Sequence, residues 1–235
     1  MTTSGQTTYE LSALQMIEGM FNILGVAQEG EALSARMYQD GLRAYNGMIQ
    51  TLSAFPHLWT QEEGSLAMVA DTPSYTVSPR ALRITNCRYR NTVSQIDVPM
   101  QKMSRQEYFD QPTKTTSPSI PVNFYFDPKV DEGTLYLWPC PSATTAAQYT
   151  IRYTYWRFLE IITASNQTMD LPQQWVEPIM WNGARRLMTQ YPVNDPNIMQ
   201  LVLAEAKEFW DRLTAFDNED ASLYMQPNYL GAMNP

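Results

Sequence analysis

Hydrophobic patterns follow one another along this chain in an order that limits its fold. Residues 9–55 carry apolar side chains at steps of three and four, the spacing of one helix face, and residues 172–216 return to that spacing. Between them, residues 57–170 contain short β-branched or aromatic runs broken by proline and glycine. Because the chain leaves a helical layer and comes back to it, we expect its two ends to pack together while the middle projects.

This order predicts an α+β fold: a helical bundle of N- and C-terminal helices with a central antiparallel β insertion and an extended C-terminal arm. The predicted segments are an N-terminal helical pair at 1–56, a β-rich insertion at 57–170, a C-terminal helical pair at 171–217 that packs on the N-terminal helices, and the arm at 218–235. At 235 residues, one domain with an elaborate insertion is favoured over two independent domains.

The helix predicted for residues 31–55 has apolar stripes on two adjoining faces. A helix of this kind is sandwiched, either between elements of its own fold or against another subunit. Gly41, Ala44 and Gly47 lie along it, and their small side chains would permit close approach of a neighbouring backbone.

Local signals mark several turns and caps. Asp170, followed by Leu171-Pro172, predicts a helix N-cap, and Asp131-Glu132-Gly133 predicts a hairpin turn. Residues 104–119 form a long polar connection with one short helical turn expected at 105–109. Long connections within compact domains are often functional.

The residues offer little chemistry. His57 is the single histidine and has no nucleophile motif beside it, and Cys87 and Cys140 are separated, so we expect two reduced, buried thiols. One histidine and two separated cysteines supply too few ligands for zinc, and phosphate-binding glycine loops are missing from the sequence. We therefore expect no catalytic residues, no cofactor and no metal.

Charge is distributed unevenly along the chain. The net charge is −8, which disfavours tight DNA binding, yet the early β region is basic. Its arginines are Arg80, Arg83, Arg88 and Arg90. Arg88 and Arg90 point the same way on a strand, with Tyr89 opposite. A solvated sheet face, or a pairing surface for an acidic neighbour, is favoured over a DNA groove.

The N-terminal residues contain neither a basic nor an apolar stretch, and apolar runs stay far below the ~18 residues that a membrane span needs. We expect a protein that is made in a cytoplasm and has no membrane partner.

Several strings, taken in order, resemble the head-to-tail adaptor family of tailed bacteriophages, the podovirus tail accessory factors and related head-completion proteins. The N-terminal helix pair is similar through residues 14–24 and 31–55. The β region is similar through SRQEY at 104–108 and above all TLYLWPCP at 134–141, and DLP at 170–172 precedes the returning helices. The resemblance covers most of the chain, and none of these strings is a catalytic signature.

The resemblance implies a structural virion protein of the head–tail junction, assembled in the host bacterial cytoplasm. It implies a homo-oligomeric ring, generally dodecameric, docked beneath the portal protein, with double-stranded DNA passing through its lumen without specific binding. It further implies that the C-terminal arm reaches the portal while the insertion meets tail proteins of the nozzle, tube or fibre.

On that basis we expect portal contacts from apolar and aromatic side chains of the arm, Tyr224, Met225, Pro227, Tyr229 and Leu230. The four arginines are the candidates for subunit or tail contacts. Two alternatives stay open: a tail-tube or tail-terminator subunit of the same virion, and a glycan hydrolase or carbohydrate-binding β module that uses exposed aromatics or a carboxylate pair.

Overall fold

A computed structural model describes residues 10–27, 32–55, 57–115 and 118–216. The helices are α1 (Ala13–Ile23), α2 (Ala35–Leu52), α3 (Arg105–Phe109), α4 (Ala143–Gln148), α5 (Val176–Leu187) and α6 (Pro196–Phe216). The strands are β1 (Gln61–Ala67), β2 (Ser74–Val77), β3 (Ala81–Asn91), β4 (Asp97–Lys102), β5 (Asn123–Asp127), β6 (Gly133–Trp138) and β7 (Tyr149–Arg157).

The seven strands form one curled, nearly closed sheet in the order β1-β7-β3-β4-β5-β6-β2. All neighbours pair antiparallel except β4 and β5, which are parallel. The edge strands β1 and β2 are joined by residues 68–73, and the Tyr75 hydroxyl lies 3.1 Å from both the backbone N and the backbone O of Val69. This connection holds the two ends of the sheet near each other.

Alternation along the strands fills the inside of the sheet. In β6, Leu135 and Leu137 are buried between the half-buried Thr134, Tyr136 and Trp138. In β7, Ile151, Tyr153 and Tyr155 point inward, and with residues from the other strands they form one apolar cluster. Because side chains alternate with a period of two, the other face of each strand stays available for polar groups.

A separate apolar cluster joins α1, α2, α5 and α6. Gly41 of α2 faces Ile17 of α1, and a Cβ on Gly41 would overlap the Ile17 side chain, so the two helix backbones approach closely there. Gly183 of α5 faces the sulfur of Met20 in the same way. Small residues thus set the spacing of the helical layer.

Serine residues begin four of the helices. The hydroxyl of each accepts a hydrogen bond from the backbone N–H three residues later, which satisfies a donor that the helix leaves open. These caps are Ser12 for α1, Ser34 for α2, Ser104 for α3 and Ser142 for α4. The short helix expected at 105–109 and the hairpin turn at 131–133 are both confirmed.

The predicted fold class is wrong. The chain is a mixed α/β structure dominated by the nearly closed sheet, rather than a helical bundle with a central antiparallel β insertion. The periodicity of single segments does not reveal which strands pair, and the parallel β4–β5 pair joins strands separated by the 103–122 connection. The extended C-terminal arm of that prediction lies outside the described residues.

The two apolar stripes of α2 are covered largely within the chain itself. Tyr45, Met48, Ile49 and Leu52 are all buried, whereas Phe55 just beyond the helix is 61% exposed. The sandwich around α2 therefore needs no second subunit, and contacts between copies would have to use other surfaces.

Candidate interaction surfaces

The outer face of the sheet carries a network of arginines and carboxylates from β1, β3 and β4. Arg90 donates from Nε to Asp97 Oδ1 over 2.6 Å and from Nη2 to Asp97 Oδ2 over 2.7 Å. Arg88 donates from Nε to Asp97 Oδ2 over 2.9 Å and from Nη2 to Glu63. Hydrogen bonds from Arg90, supported by those from Arg88, lower the pKa of Asp97 to about 2.

The prediction that Arg88 and Arg90 share a face is confirmed by their common partner Asp97, while Tyr89 packs against the interior cluster. Their charges are, however, engaged within the chain. Pattern reasoning missed Glu63 and Asp97, because these residues come from strands that only the fold brings beside β3.

Arg152 adds a third guanidinium to this outer face. It lies directly opposite Arg88 in the β3–β7 register and opposite Ser65 in the β1–β7 register. Its Nε is buried and has no hydrogen-bond partner in the described part of the chain. Three arginines therefore face the two carboxylates of Glu63 and Asp97, and the surplus positive charge suits an acidic neighbour.

Arg80 and Arg83 lie apart from that network. The Arg80 Cζ is 4.2 Å from the centre of the Phe158 ring, and the Arg83 Cζ is 5.4 Å from the centre of the Trp156 ring. Both arginines are exposed, so the aromatic faces hold guanidinium groups that remain open to solvent. The four predicted arginines thus form two separate pairs rather than one patch.

A second charge network connects the sheet to the helical layer. Arg157, at the end of β7, donates from Nη2 to Asp170 Oδ1 over 2.7 Å and from Nη1 to Asp170 Oδ2. Its Nε lies 2.9 Å from Glu62 Oε1, and the Tyr155 hydroxyl donates to Glu62 Oε2 over 3.0 Å. These contacts hold the linker formed by residues 158–170 against the end of the sheet.

Asp170 is ionised because of these partners. Burial alone would raise its pKa, but hydrogen bonds from Arg157 and from the backbone N–H of Glu160 outweigh burial and lower it. The predicted N-cap role of Asp170 is wrong: its carboxylate is taken by Arg157, and the next helical turn starts at Gln173 without a side-chain cap.

The linker is also fixed to α2. The Asn46 side chain donates to the Ile162 carbonyl over 2.8 Å and accepts from the Ile162 N–H over 3.0 Å. Ser53 Oγ accepts from the Leu159 N–H over 3.1 Å. Beside these bonds lies a cleft of about 1100 Å³ between the end of α2, the sheet and the linker.

An aromatic cluster covers the outer face of β5 and β6. Tyr125 and Tyr136 are cross-strand partners whose rings stack with centroids 5.8 Å apart, and Tyr108 of α3 packs on Tyr136 at 4.9 Å. Tyr108 and Tyr125 are buried by this packing, whereas Phe109 is half-exposed and lies beside Lys114. The long 103–122 connection thus shields most of the aromatic face.

The helical layer contains a groove between α2, α5 and α6 with a volume of about 460 Å³. Its apolar floor is formed by Met48, Leu52, Phe55 and Trp210, and its basic rim is formed by Arg185, Arg186 and Lys207. We call this feature the helix groove. The apolar floor and basic rim suit an acidic segment that carries aromatic side chains.

The remaining candidate residues are structural. His57 is buried, and its ring packs against Trp175 at 5.0 Å and Trp59 at 5.8 Å. Cys87 and Cys140 are buried free thiols, as expected, and burial raises the pKa of Cys87 to about 12. Within the described ranges, the ligand-type side chains do not gather into any group of three or more that could hold a metal ion.

Five predicted contact residues, Tyr224, Met225, Pro227, Tyr229 and Leu230, lie outside the described residues. Their role stays a prediction. In the helices that the structure describes, none combines the length and the apolar character required to span a bilayer.

Comparison with known proteins adds one assignment. The sequence model described as SU10 adaptor protein matches residues 31–230. A comparison with curated proteins found no match.

Solved structures that match include a chain from the virion of a native gene transfer agent particle, with 10% identity, a TM-score of 0.31, and coverage of 87% of this chain and 93% of that chain. A chain from the neck of an empty gene transfer agent particle shows 11% identity, a TM-score of 0.29, and coverage of 84% and 93%. At these identities and TM-scores, the two matches do not establish a shared fold or a shared role.

Proposed function

Because the chain belongs to the SU10 adaptor protein family, we propose that it is a structural virion protein that joins the head of a phage-like particle to its tail. Membership of this family confirms the resemblance drawn from the sequence strings. The match over residues 31–230 is the observation that carries the proposal.

In the proposed assembly, copies of the chain form a closed ring beneath the portal, and the number of copies is expected to be twelve on the family resemblance. In such a ring, neighbouring copies would cover exposed apolar side chains of the free chain. They include Phe55, Val69, Val122, Ile161 and Leu201.

The proposed contacts use different parts of the chain. The residues Tyr224, Met225, Pro227, Tyr229 and Leu230 are proposed to bind the portal. Arg80 and Arg83, held on aromatic rings but open to solvent, are better placed for subunit or tail contacts than Arg88 and Arg90, whose charges are neutralised by carboxylates. A net charge of −8 supports a lumen through which DNA passes without being held.

We propose no enzymatic activity. A carbohydrate-binding module would present flat aromatic faces to solvent, but Tyr108 and Tyr125 are 2% and 7% exposed. Arginines form ion pairs with four carboxylates, those of Glu62, Glu63, Asp97 and Asp170. These ion pairs connect strands and the linker, so the four carboxylates have structural roles.

Electron microscopy of the full chain mixed with portal rings from the same particle tests the proposal. We expect a ring of this protein on one end of each portal. Rings that form on isolated tails and never on portals would instead indicate a tail-tube or tail-terminator subunit. Cleavage of peptidoglycan that is lost in carboxylate-to-amide variants would contradict a purely structural role.

A further inference from the structure

We propose that in the free subunit the acidic, tyrosine-containing segment at residues 217–235 docks into the helix groove of its own chain. This docking goes beyond the proposed function. Only one consequence rests on that function, namely that the portal must compete with the helix groove for the same segment.

The helix groove exposes an aromatic side chain on its apolar floor. Phe55, three residues beyond the end of α2, is 61% exposed, and the groove is lined beside it by Met48, Leu52 and Trp210. The volume of about 460 Å³ admits an aromatic side chain. Exposed aromatic surface next to a cavity of this size is typical of a binding site.

The rim of the helix groove carries three exposed, positively charged side chains. Arg185, Arg186 and Lys207 are exposed, and no carboxylate of the described residues forms an ion pair with any of them. Glu208, on the same helix as Lys207, is bound to Arg212 instead. Three neighbouring exposed cations attract an acidic partner.

The chain beyond α6 has the complementary chemistry. From residue 213 to residue 235 it contains no lysine or arginine, and it carries Asp217, Glu219 and Asp220 followed by Tyr224 and Tyr229. The acidic residues match the basic rim, and the tyrosines match the apolar floor.

The distance that the segment must cover is short. Trp210 of the helix groove precedes the end of α6 by six residues, which is ~9 Å of helix at 1.5 Å per residue. The eight residues from Phe216 to Tyr224 can span up to ~27 Å when extended, so Tyr224 can return to the helix groove. A tether of this length gives a millimolar effective concentration, which favours the segment of the same chain over that of a second copy.

Limited chymotrypsin digestion of the full-length protein tests the docking, because bonds after Tyr224 and Tyr229 are cleaved only when the segment is undocked. We expect Lys207→Glu and Glu219→Lys each to speed this cleavage by about three- to tenfold, and the double variant Lys207→Glu/Glu219→Lys to return it towards the wild-type rate. Phe55→Ser should speed cleavage without changing the charge. Intact-mass spectrometry follows the products.

Lys129→Glu is the matched control, since Lys129 is exposed on the β5–β6 hairpin, donates to Thr134 and does not line the helix groove. Equal cleavage rates in the wild type, the groove variants and this control would overturn the proposal, provided that all variants melt at the same temperature. Protection that increases with protein concentration would also overturn it, because a second copy would then supply the segment. Both measurements use free protein, so a failure to bind the portal leaves them unaffected.

Discussion

At the scale of single residues, the sheet pairs part of a basic stretch of sequence with carboxylates. Arg88 and Arg90 look like free cations in the sequence, yet Asp97 accepts hydrogen bonds from both. The Asp97 carboxylate sits at the start of β4, directly across from Arg90. The Asp97 charge therefore stabilises the pairing of β3 with β4, and it also balances positive charge on the outer face of the sheet.

Replacing this carboxylate tests that role. The pKa of Asp97 is about 2 in the folded chain, below its ordinary value, so the stabilisation is present above about pH 4 and disappears as the pH falls towards 2. We expect Asp97→Asn to be less stable than the wild type at pH 7, with the difference shrinking as the pH falls through 4 and disappearing only below about pH 2. Urea denaturation at a series of pH values measures this.

Asp131→Asn, at an exposed hairpin position, is the control and should leave the midpoint unchanged. A difference between Asp97→Asn and the wild type that is as large at pH 2 as at pH 7 would mean that the side chain acts through packing rather than charge.

The pattern of residues predicted part of this network. Alternation along β3 is enough to place Arg88 and Arg90 on one face, because it follows from local backbone geometry. Their partners depend on strand pairing over long sequence separations, and Glu63 is 25 residues from Arg88. The same limit explains why Asp170 was expected to cap a helix: its dependence on Arg157 arises from a tertiary contact.

At the scale of elements, α2 offers a test in which two glycines of one helix behave in opposite ways. A Cβ on Gly41 would overlap the side chain of Ile17, which is 1% exposed and cannot move aside easily. A Cβ on Gly47 would meet Arg186 Nη1 at 3.5 Å, an ordinary contact with a flexible side chain.

We expect Gly41→Ala to lower the free energy of unfolding by about 1–3 kcal/mol, because overpacking separates α1 from α2. Gly47→Ala should raise the free energy of unfolding by about 0.5–1 kcal/mol, because alanine is the better helix former. Chemical denaturation of the two variants measures both. The same sign for both changes would show that the helices are not spaced as described.

The linker between the sheet and the helical layer provides a second test at this scale. Asp170 accepts hydrogen bonds from Arg157 and Glu160 N–H, so Asp170→Asn should cost about 1–3 kcal/mol of unfolding free energy at pH 7. Because the folded pKa of Asp170 is lowered, the cost should shrink as the pH falls below about 4.

Glu160→Gln is the neighbouring control. The Glu160 side chain is exposed and forms no ion pair with the described residues, so a change within about 0.5 kcal/mol is expected. If both substitutions changed the free energy of unfolding equally, the Arg157–Asp170 contact would not stabilise the connection between the sheet and the helices.

Elements with strong local signals were predictable and their arrangement was not. The hairpin between β5 and β6 follows from Asp131-Glu132-Gly133, and the capping box of Ser104 with Glu107 marks α3. The parallel pairing of β4 with β5 leaves no local mark, since its two partners are joined by the whole 103–122 connection. Because the β4–β5 pair was not predicted, the near closure of the sheet was not predicted either.

At the scale of the whole molecule, two apolar clusters share one chain, and polar contacts of the 158–170 linker join them. Both stripes of α2 are covered largely within the chain, with Phe55 left exposed, so the described part does not need a neighbour to bury its core. We therefore expect a folded monomer in solution whose assembly depends on surface contacts and on residues 217–235.

Removing the end of the chain separates folding from assembly. We expect a variant without residues 221–235 to stay folded, since α6 and its core contacts Val202 and Ala206 are retained, with a small fall in melting temperature because the docked segment is lost. The same variant should fail to form rings on portals, because Tyr224 and Tyr229 are the aromatic anchors of the proposed contact. A chain that ends after Leu230 keeps all five predicted portal contacts and should assemble normally. Electron microscopy and sedimentation of each variant mixed with portal rings measure the outcome. If the variant without residues 221–235 still formed rings on portals, the portal would have to bind surfaces in residues 10–216 instead.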